Sequence, residues 1–387
     1  MNSANTDQTG QGESPNCCTM GAPGRECCCN SSSACQTTLA PTAPWIVGSV
    51  STPIGDVPVV STRLQMADRL GAWKMRWGIG RMQYQVAPGL YAVGSPAPDS
   101  PVLVSANYKL SFDRLRSCLS GLDAWIMVVD TNGVNVWCSA GKGTFCADEV
   151  VRRIEAVRLP EVVSSRKLIL PQLAAAGVAA HEVGKRSGFH AVFGPVRAED
   201  VRAFLAAGMQ ATPEMREVRF PMGDRLAVIP VELVQAAAKV VLVAACFFLL
   251  AGLGRDGYSA SRAMDAGLFS AALFLLVCLA SLTLAPLLLP WLPGRAFAIK
   301  GTWLGIGLLV AVTGYKWPLP GAFENWFTFG AWCLILPAVA SFAAINFTGC
   351  TTFTSVSGAR REVRVAVPIQ AVLAGLGIVL WLVGRFV

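Results

Sequence analysis

Ala124-Trp125-Ile126-Met127-Val128-Val129-Asp130, continuing into Thr131-Asn132-Gly133-Val134-Asn135-Val136-Trp137-Cys138-Ser139-Ala140-Gly141-Lys142, is the most informative run in the chain. Its first half is almost wholly apolar, the pattern of a strand buried on both faces of a parallel sheet. On either side, short apolar runs alternate with amphipathic ones. Residues 101–105 read as a strand and 111–121 as a helix with Ser111 as its N-cap. Residues 144–157 predict a helix, 167–170 a strand, 178–187 a helix, 191–193 a strand and 197–207 a helix. Alternating strand and helix predict a Rossmann-like α/β domain. Ligands of such sheets sit beyond the carboxyl ends of the strands, so the loops 106–110 and 131–143 are where one is expected. Residues 46–94, with Trp73, Trp77 and Tyr84, predict a helix and a hairpin packed on this domain.

The chain is polar first and apolar later. Its mean hydropathy is +0.49, and only 14% of its residues are charged, against about 25% in an ordinary soluble protein. Beyond Pro230, residues 231–252, 266–289, 297–312, 327–345 and 365–383 form apolar segments. Each approaches the roughly 20 residues that cross about 30 Å of hydrocarbon. The expected plan is therefore a tail (1–45), an α/β domain (46–225) and an all-α transmembrane bundle of about five helices (230–387).

Arg216, Arg219, Arg225, Arg295, Lys300, Arg360, Arg361 and Arg364 fall on the side of the N-terminal half. Arg255, Arg262, Lys316 and Arg385 fall on the other. That bias predicts a multi-pass protein of the inner membrane with its α/β domain in the cytoplasm. Residues 1–21 have neither the apolar core nor the basic start of a secretory signal, in keeping with that placement. No span carries an Asp, Glu or Arg near its centre, so the bundle reads as an anchor rather than an ion path. The net charge of +8 is accounted for by these loops. With no basic stripe interleaved with aromatics, nucleic acid is excluded.

Residues 1–43 are rich in Asn, Ser, Thr, Gly and Pro, and predict a tail without a packed core. They carry Cys17, Cys18, Cys27, Cys28, Cys29 and Cys35. Thiols in a reducing compartment suit soft metal ions better than disulfides, though this spacing matches no regular zinc or cluster pattern.

Several motifs fail on inspection. Gly252, Gly254 and Gly257 spell G-x-G-x-x-G, but after a membrane-length segment rather than a strand. Gly141-Lys142-Gly143-Thr144 lacks the earlier glycine of a phosphate loop, for Val136 stands there. His181-Glu182 begins a zinc-protease motif that Lys185 ends. His181 and His190 are the only histidines, so histidine-rich metal sites are excluded, and neither lies in the D-x-H-x-x-G pattern of many cobalamin proteins.

The 135–142 segment remains. Small residues after Cys138 let the backbone approach something large and flat. A cysteine at the start of a short helix has its thiolate favoured by unpaired N–H groups, and Lys142 adds positive potential. From the residues alone, Cys138 reads either as a reactive thiolate or as a small buried hydrophobe. Cys118, Cys146 and the membrane cysteines read as the latter.

The segment Asn135-Val136-Trp137-Cys138-Ser139-Ala140-Gly141-Lys142 resembles the cap-helix motif of the corrinoid protein of microbial mercury methylation. Residues 105–109, 111–113, 170–173 and 185–189 add to the likeness, which extends from about residue 46 onward. Ser139 stands where that family commonly has Ala. The domain is also similar to the large subunit of the corrinoid iron–sulfur protein of acetogenic carbon metabolism, but that protein is soluble and carries its own cluster. The first resemblance implies a methyltransferase holding a cobalamin-type corrinoid in base-off form, with the Cys138 thiolate as lower axial cobalt ligand. It implies Hg(II) as methyl acceptor, a ferredoxin-like iron–sulfur protein as electron donor and a folate-linked methyl donor. A thiolate pushes electron density through a metal to the opposite ligand, which favours departure of a methyl group as a carbanion equivalent.

On this reading Ser105, Ser111, Asn135, Val136, Trp137, Ser139, Ala140, Gly141 and Lys142 line the cofactor with Cys138, Asn135 and Lys142 acting as supports. Gln172 and His181 are further candidates. Two alternatives are a corrinoid methyl carrier of one-carbon metabolism and a membrane-bound thiol protein that relays metal from the tail to Cys138.

Overall fold

The computed structural model describes residues 43–314, 325–347 and 356–387. The cysteine-rich tail lies outside them. Among the described residues one mixed sheet contains β1 (Ile46–Thr52), β2 (Gly55–Val60), β3 (Gly89–Val93), β4 (Val102–Ala106), β5 (Ala124–Val129), β6 (Lys167–Leu170) and β7 (His190–Phe193). The strand order is β1-β2-β3-β5-β4-β6-β7. β5, β4, β6 and β7 run parallel, β3 is antiparallel to β5, and β1 and β2 form an antiparallel hairpin. The chain leaves β4 for β5 on one side and returns to β6 on the other, so the winding reverses between β4 and β6.

The apolar run at residue 124 behaves as its composition requires. Every residue of β5 is buried, and its side chains alternate between two cores. Trp125, Met127 and Val129 pack with Val150 and Ile154 of α4 (Ala147–Ala156). Ala124, Ile126 and Val128 pack with Phe112 of α2 (Lys109–Cys118) and with Val201 and Phe204 of α6 (Val201–Ala206). Between these helices in chain order lie α3 (Val136–Lys142) and α5 (Ala180–Ser187). The expected hairpin and helix before residue 94 are present, the helix being α1 (Met66–Arg76). The sheet extends further than the sequence implies, because β3 enters it between β2 and β5 and draws the hairpin onto its edge.

Two local expectations are corrected. α2 starts at Lys109 with Tyr108 at the N-cap, so Ser111 lies in its first turn rather than at the cap. The run 144–157 is helical only from Ala147, and the preceding motif folds as the separate helix α3.

A buried ion cluster fastens α1 to α2. Arg116, fully buried, donates to Asp113 at 2.8 Å and Asp68 at 2.9 Å, and caps the Ser61 carbonyl. Lys109 donates to the same two carboxylates at 2.7 and 2.6 Å. Two cations and two anions close the network without excess charge. Burial works to raise the Asp68 carboxyl, but the Lys109 hydrogen bond, the Gln65 amide and the charges of Lys109 and Arg116 outweigh it and hold the carboxyl below its ordinary value.

The second half is a helical bundle. α7 (Met222–Leu250), α8 (Ala260–Leu288), α9 (Phe297–Gly314), α10 (Trp326–Ile345) and α11 (Val356–Val383) are each long and apolar enough to cross a membrane. α7 begins eight residues before Pro230, which the helix absorbs in its interior. Hydropathy marks where an apolar run ends, not where a helix does. The extra turns carry Asp224, which pairs with Arg197 of the α/β part at 2.8 Å. Gly301 and Gly305 of α9 let it press against α10: a Cβ on Gly305 would stand 2.5 Å from Pro337 Cα, the small-residue packing of apolar helix pairs. Gln370 donates to Ser341 at 2.7 Å, and Ser341 to the Ala298 carbonyl at 2.8 Å, joining three helices through polar groups.

Replacing Arg116 by Met leaves two buried carboxylates sharing Lys109 as their one cation and is expected to cost about 3–5 kcal/mol, measured by thermal or denaturant unfolding of the detergent-solubilised chain. Because the folded-state pKa of Asp68 is depressed, its contribution is present above the unfolded value and lost as pH falls below about 4. An Asp68→Asn chain is expected to lose that part of the acid dependence, read from melting temperature against pH.

Candidate functional site

β4 and β5 pair in parallel, with Ala106 opposite Val129. The loops that follow both strands therefore leave the same edge of the sheet. Asn107, the first residue after β4 and almost fully buried, ties them together. Its Oδ1 accepts from the Thr131 amide at 3.1 Å and the Gly133 amide at 2.9 Å. The Thr131 hydroxyl lies 2.8 Å from that oxygen and 2.7 Å from the Val134 carbonyl, with one hydrogen to give. Asn107 Nδ2 donates to Asp130 at 3.0 Å, and Asp130 accepts the Asn132 amide at 3.0 Å. The Asp130 amide is taken by Glu149 of α4 at 2.8 Å. The turn passes through positive φ at Asn132 and Gly133. At Gly133 a Cβ would meet the Gln85 side chain at 2.5 Å, so only glycine fits.

This turn delivers α3. Asn135 is its N-cap, and its Oδ1 accepts the Cys138 amide at 2.8 Å. The Cys138 N–H is thus satisfied, not one of the open amides expected around the thiol. Asn135 Nδ2 has no partner among the described residues. Cys138 is half-buried with a free thiol. Ser139 is fully buried, and its hydroxyl donates back to the Asn135 carbonyl at 2.7 Å. Ala140 packs inward, where its backbone lies so close to Gly177 that a Cβ there would stand 2.8 Å from the Ala140 carbonyl. Here the close approach made by a small residue is to the protein itself. Gly141 borders open space, and Lys142 is exposed in the last turn, where a cation complements the helix end.

A cleft of about 460 Å³ opens at the carboxyl ends of β4 and β6, where the winding reverses. It brings together Ser105, Ser111, Asn135, Val136 and Trp137. Ser139, Ala140, Gly141 and Lys142 are not among its lining residues. Cys138 follows the last lining residue of the motif. Gln172 sits in the 3-10 turn after β6, and His181 is exposed on α5. Most of the lining is aliphatic, Leu110, Leu115 and Leu173 among it, with polar groups from Ser111, Arg114 and Asn135. Trp137 is 42% exposed on it, an unusual position for an indole without a ligand or partner.

Asn107 and Tyr108 are the residues that sequence reasoning missed as parts of the site. Tyr108 lines the cleft and donates to Met75 Sδ. Burial raises its phenol above the ordinary value, Arg81 and Arg76 pull it back, and Cys138 pushes it up again. Both residues stand in the first loop expected to face a ligand, and that position was the available signal. Cys146 is a different kind of thiol: burial pushes it up, away from the thiolate form. Among the described residues no cluster of three or more His, Cys, Asp or Glu side chains is placed to hold a metal ion.

Residues 77–205 match the family described as the CO dehydrogenase/acetyl-CoA synthase delta subunit. A segment of 127 residues is 34% identical to the acetyl-CoA decarbonylase/synthase complex subunit gamma of Archaeoglobus fulgidus, covering 32% of this chain and 27% of that protein. The same subunit of Methanopyrus kandleri is 32% identical over 127 residues, with 32% and 27% covered. That of Methanocaldococcus jannaschii is 31% identical over 127 residues, with 32% and 26% covered. The chain thus spans about a quarter of the length of these relatives. The family match runs from the end of α1 to α6 and includes the whole cleft and α3.

Asn107→Ala leaves the Thr131 and Gly133 amides and Asp130 short of partners. It is expected to cost about 2–4 kcal/mol, a few buried groups at roughly 1–3 kcal/mol each with partial relaxation. Hydrogen exchange is expected to quicken at residues 130–138 while β5 itself stays protected.

Proposed function

We propose that this chain is a membrane-anchored, corrinoid-dependent methyltransferase in which Cys138 is the protein's ligand to cobalt. The observation that carries the reading is the half-buried Cys138 on an Asn135-capped helix at the rim of a broad, mostly aliphatic cleft. The match of residues 77–205 to a subunit family of acetyl-CoA synthesis supports it. The residues fit such a group. A flat macrocycle fringed with amides suits an aliphatic floor and a few polar groups, and the free Asn135 Nδ2 and the exposed Trp137 are available to meet it.

When bound, a base-off corrinoid supplies a cobalt-carried methyl group for transfer to an acceptor. Cys138 would hold such a group through its thiol, which as a thiolate would supply a strongly electron-donating ligand. Asn135 fixes the Cys138 backbone through the cap bond, and Asn107 fixes the turn that presents both. Ser111 and Asn135 offer hydrogen bonds at the rim, and the aliphatic lining offers an apolar floor. A donor as strong as thiolate suits a soft electrophile, and the resemblance of the 135–142 motif makes Hg(II) the acceptor we favour. Such a group would need a methyl donor, for which we favour a folate-linked one, and an electron donor, for which we favour a ferredoxin-like iron–sulfur protein. The bundle spans the inner membrane with the Rossmann-like α/β domain in the cytoplasm.

A second reading is a corrinoid methyl carrier of one-carbon metabolism. The observation in its favour is that the relatives named above are subunits of an acetyl-CoA decarbonylase/synthase complex.

The test is an anaerobic optical spectrum of the purified full chain reconstituted with a corrinoid, wild type beside Cys138→Ala. A stoichiometric base-off spectrum that changes in the variant is expected. Methyl transfer to Hg(II) is expected to fall by more than about 100-fold in Cys138→Ala and by about 10–100-fold in Asn135→Ala, which keeps the ligand but loosens its support. A loaded protein that passes methyl to a one-carbon acceptor and not to Hg(II) establishes the carrier reading instead. If neither chain holds a corrinoid, both readings fail and a thiol relay is the remaining one.

A further inference from the structure

α1 carries an apolar face that the rest of the α/β part leaves uncovered. Met66, Leu70, Trp73 and Trp77 are 67%, 51%, 58% and 37% exposed. At about 100° per residue they fall within an arc of roughly 60°. Asp68 and Met75 lie on the opposite face and are buried, at 8% and 2% exposed. The helix cannot roll to hide the stripe, because Asp68 is held by Lys109 and Arg116 in the ion cluster. Basic side chains flank the stripe on both sides, Arg69 and Arg76 on one and Lys74 on the other. The indoles of Trp73 and Trp77 are 6.0 Å apart. Ile79 and Met82, both about 60% exposed, continue the patch beyond the helix.

The patch is also continuous with the bundle. At the end of α1 a Cβ on Gly78 would stand 3.1 Å from Val234 Cγ1 of α7. Val234 and Leu226 are themselves exposed on that helix. An aliphatic stripe with indoles, bordered by cations and joined to the outer surface of a membrane-length helix, has the chemistry of the zone between headgroups and acyl chains.

From this we infer that α1 is an interfacial helix that binds a lipid surface bearing anionic headgroups, with Leu70, Trp73 and Trp77 inserted and Arg69, Lys74 and Arg76 on the phosphates. The inference rests on the membrane reading of the bundle. It places the cleft beside the membrane, since Tyr108 of the cleft touches Met75 of α1.

The experiment uses the full chain in nanodiscs containing a photoactivatable phospholipid, in phosphatidylcholine alone and mixed with phosphatidylglycerol, with adducts mapped by mass spectrometry. Adducts are expected on residues 66–82 as well as on α7, severalfold more abundant with phosphatidylglycerol. In a Leu70→Ser/Trp73→Ser/Trp77→Ser chain they are expected to vanish from 66–82 and persist on the bundle. All three residues are exposed, and an unchanged melting temperature verifies that the variant is folded. Adducts on the bundle with none on residues 66–82 overturn the inference and assign the patch to a protein partner or a second copy. Equal labelling in the two compositions overturns the role of the basic flanks. Absence of adducts from the bundle as well overturns the membrane reading itself, and this inference with it.

Discussion

Much of the candidate site hangs on one side chain. Asn107 follows β4 directly, at the edge of the sheet where β4 and β5 end together, and it bonds across to the turn after β5. An amide is the side chain suited to this position, because it accepts from two backbone N–H groups and donates to a carboxylate at once. Aspartate lacks the donor, and an aliphatic residue leaves buried amides without partners. Through that turn the geometry of α3, the Asn135 cap and the position of Cys138 all follow from a contact made between two loops distant in sequence.

The second constraint is electrostatic. Arg116 and Lys109 bridge the same two carboxylates, and all four side chains are largely withdrawn from water. A buried pair of this kind adds less to stability than to orientation, since desolvation offsets much of the attraction. Its effect here is to fix the roll of α1 on α2. The same cluster that holds Asp68 turns the tryptophans outward, so the inner face of α1 closes the core while its outer face remains free.

The two halves of the chain draw their functional reading from different sources. The α/β part contains the cleft, and its likeness to acetyl-CoA synthesis subunits covers residues 77–205. The bundle lies outside that match and is read from its own five apolar helices. The family match ends at residue 205, ahead of the first apolar helix at Met222.

What the sequence determined by itself is whatever depends on local pattern. β5 and β6 were legible because continuous apolar runs are buried on both faces. α8, α9 and α10 were located closely because long apolar runs mark them, while α7 and α11 were each marked nine residues late, 231 against 222 and 365 against 356, because their first turns carry polar and charged residues. The motif around Cys138 was conspicuous by its composition. Tertiary structure decided the rest. Ser111 lost the cap because α2 starts two residues earlier, with Tyr108 bonded across to Met75. Ser139 turned inward because a hydroxyl in a buried turn of helix finds the i−4 carbonyl. The hairpin joined the sheet only because β3 paired antiparallel with β5, some thirty residues away. Asn107 acquired its role from the parallel register of two strands, which brings together side chains that no window along the chain contains.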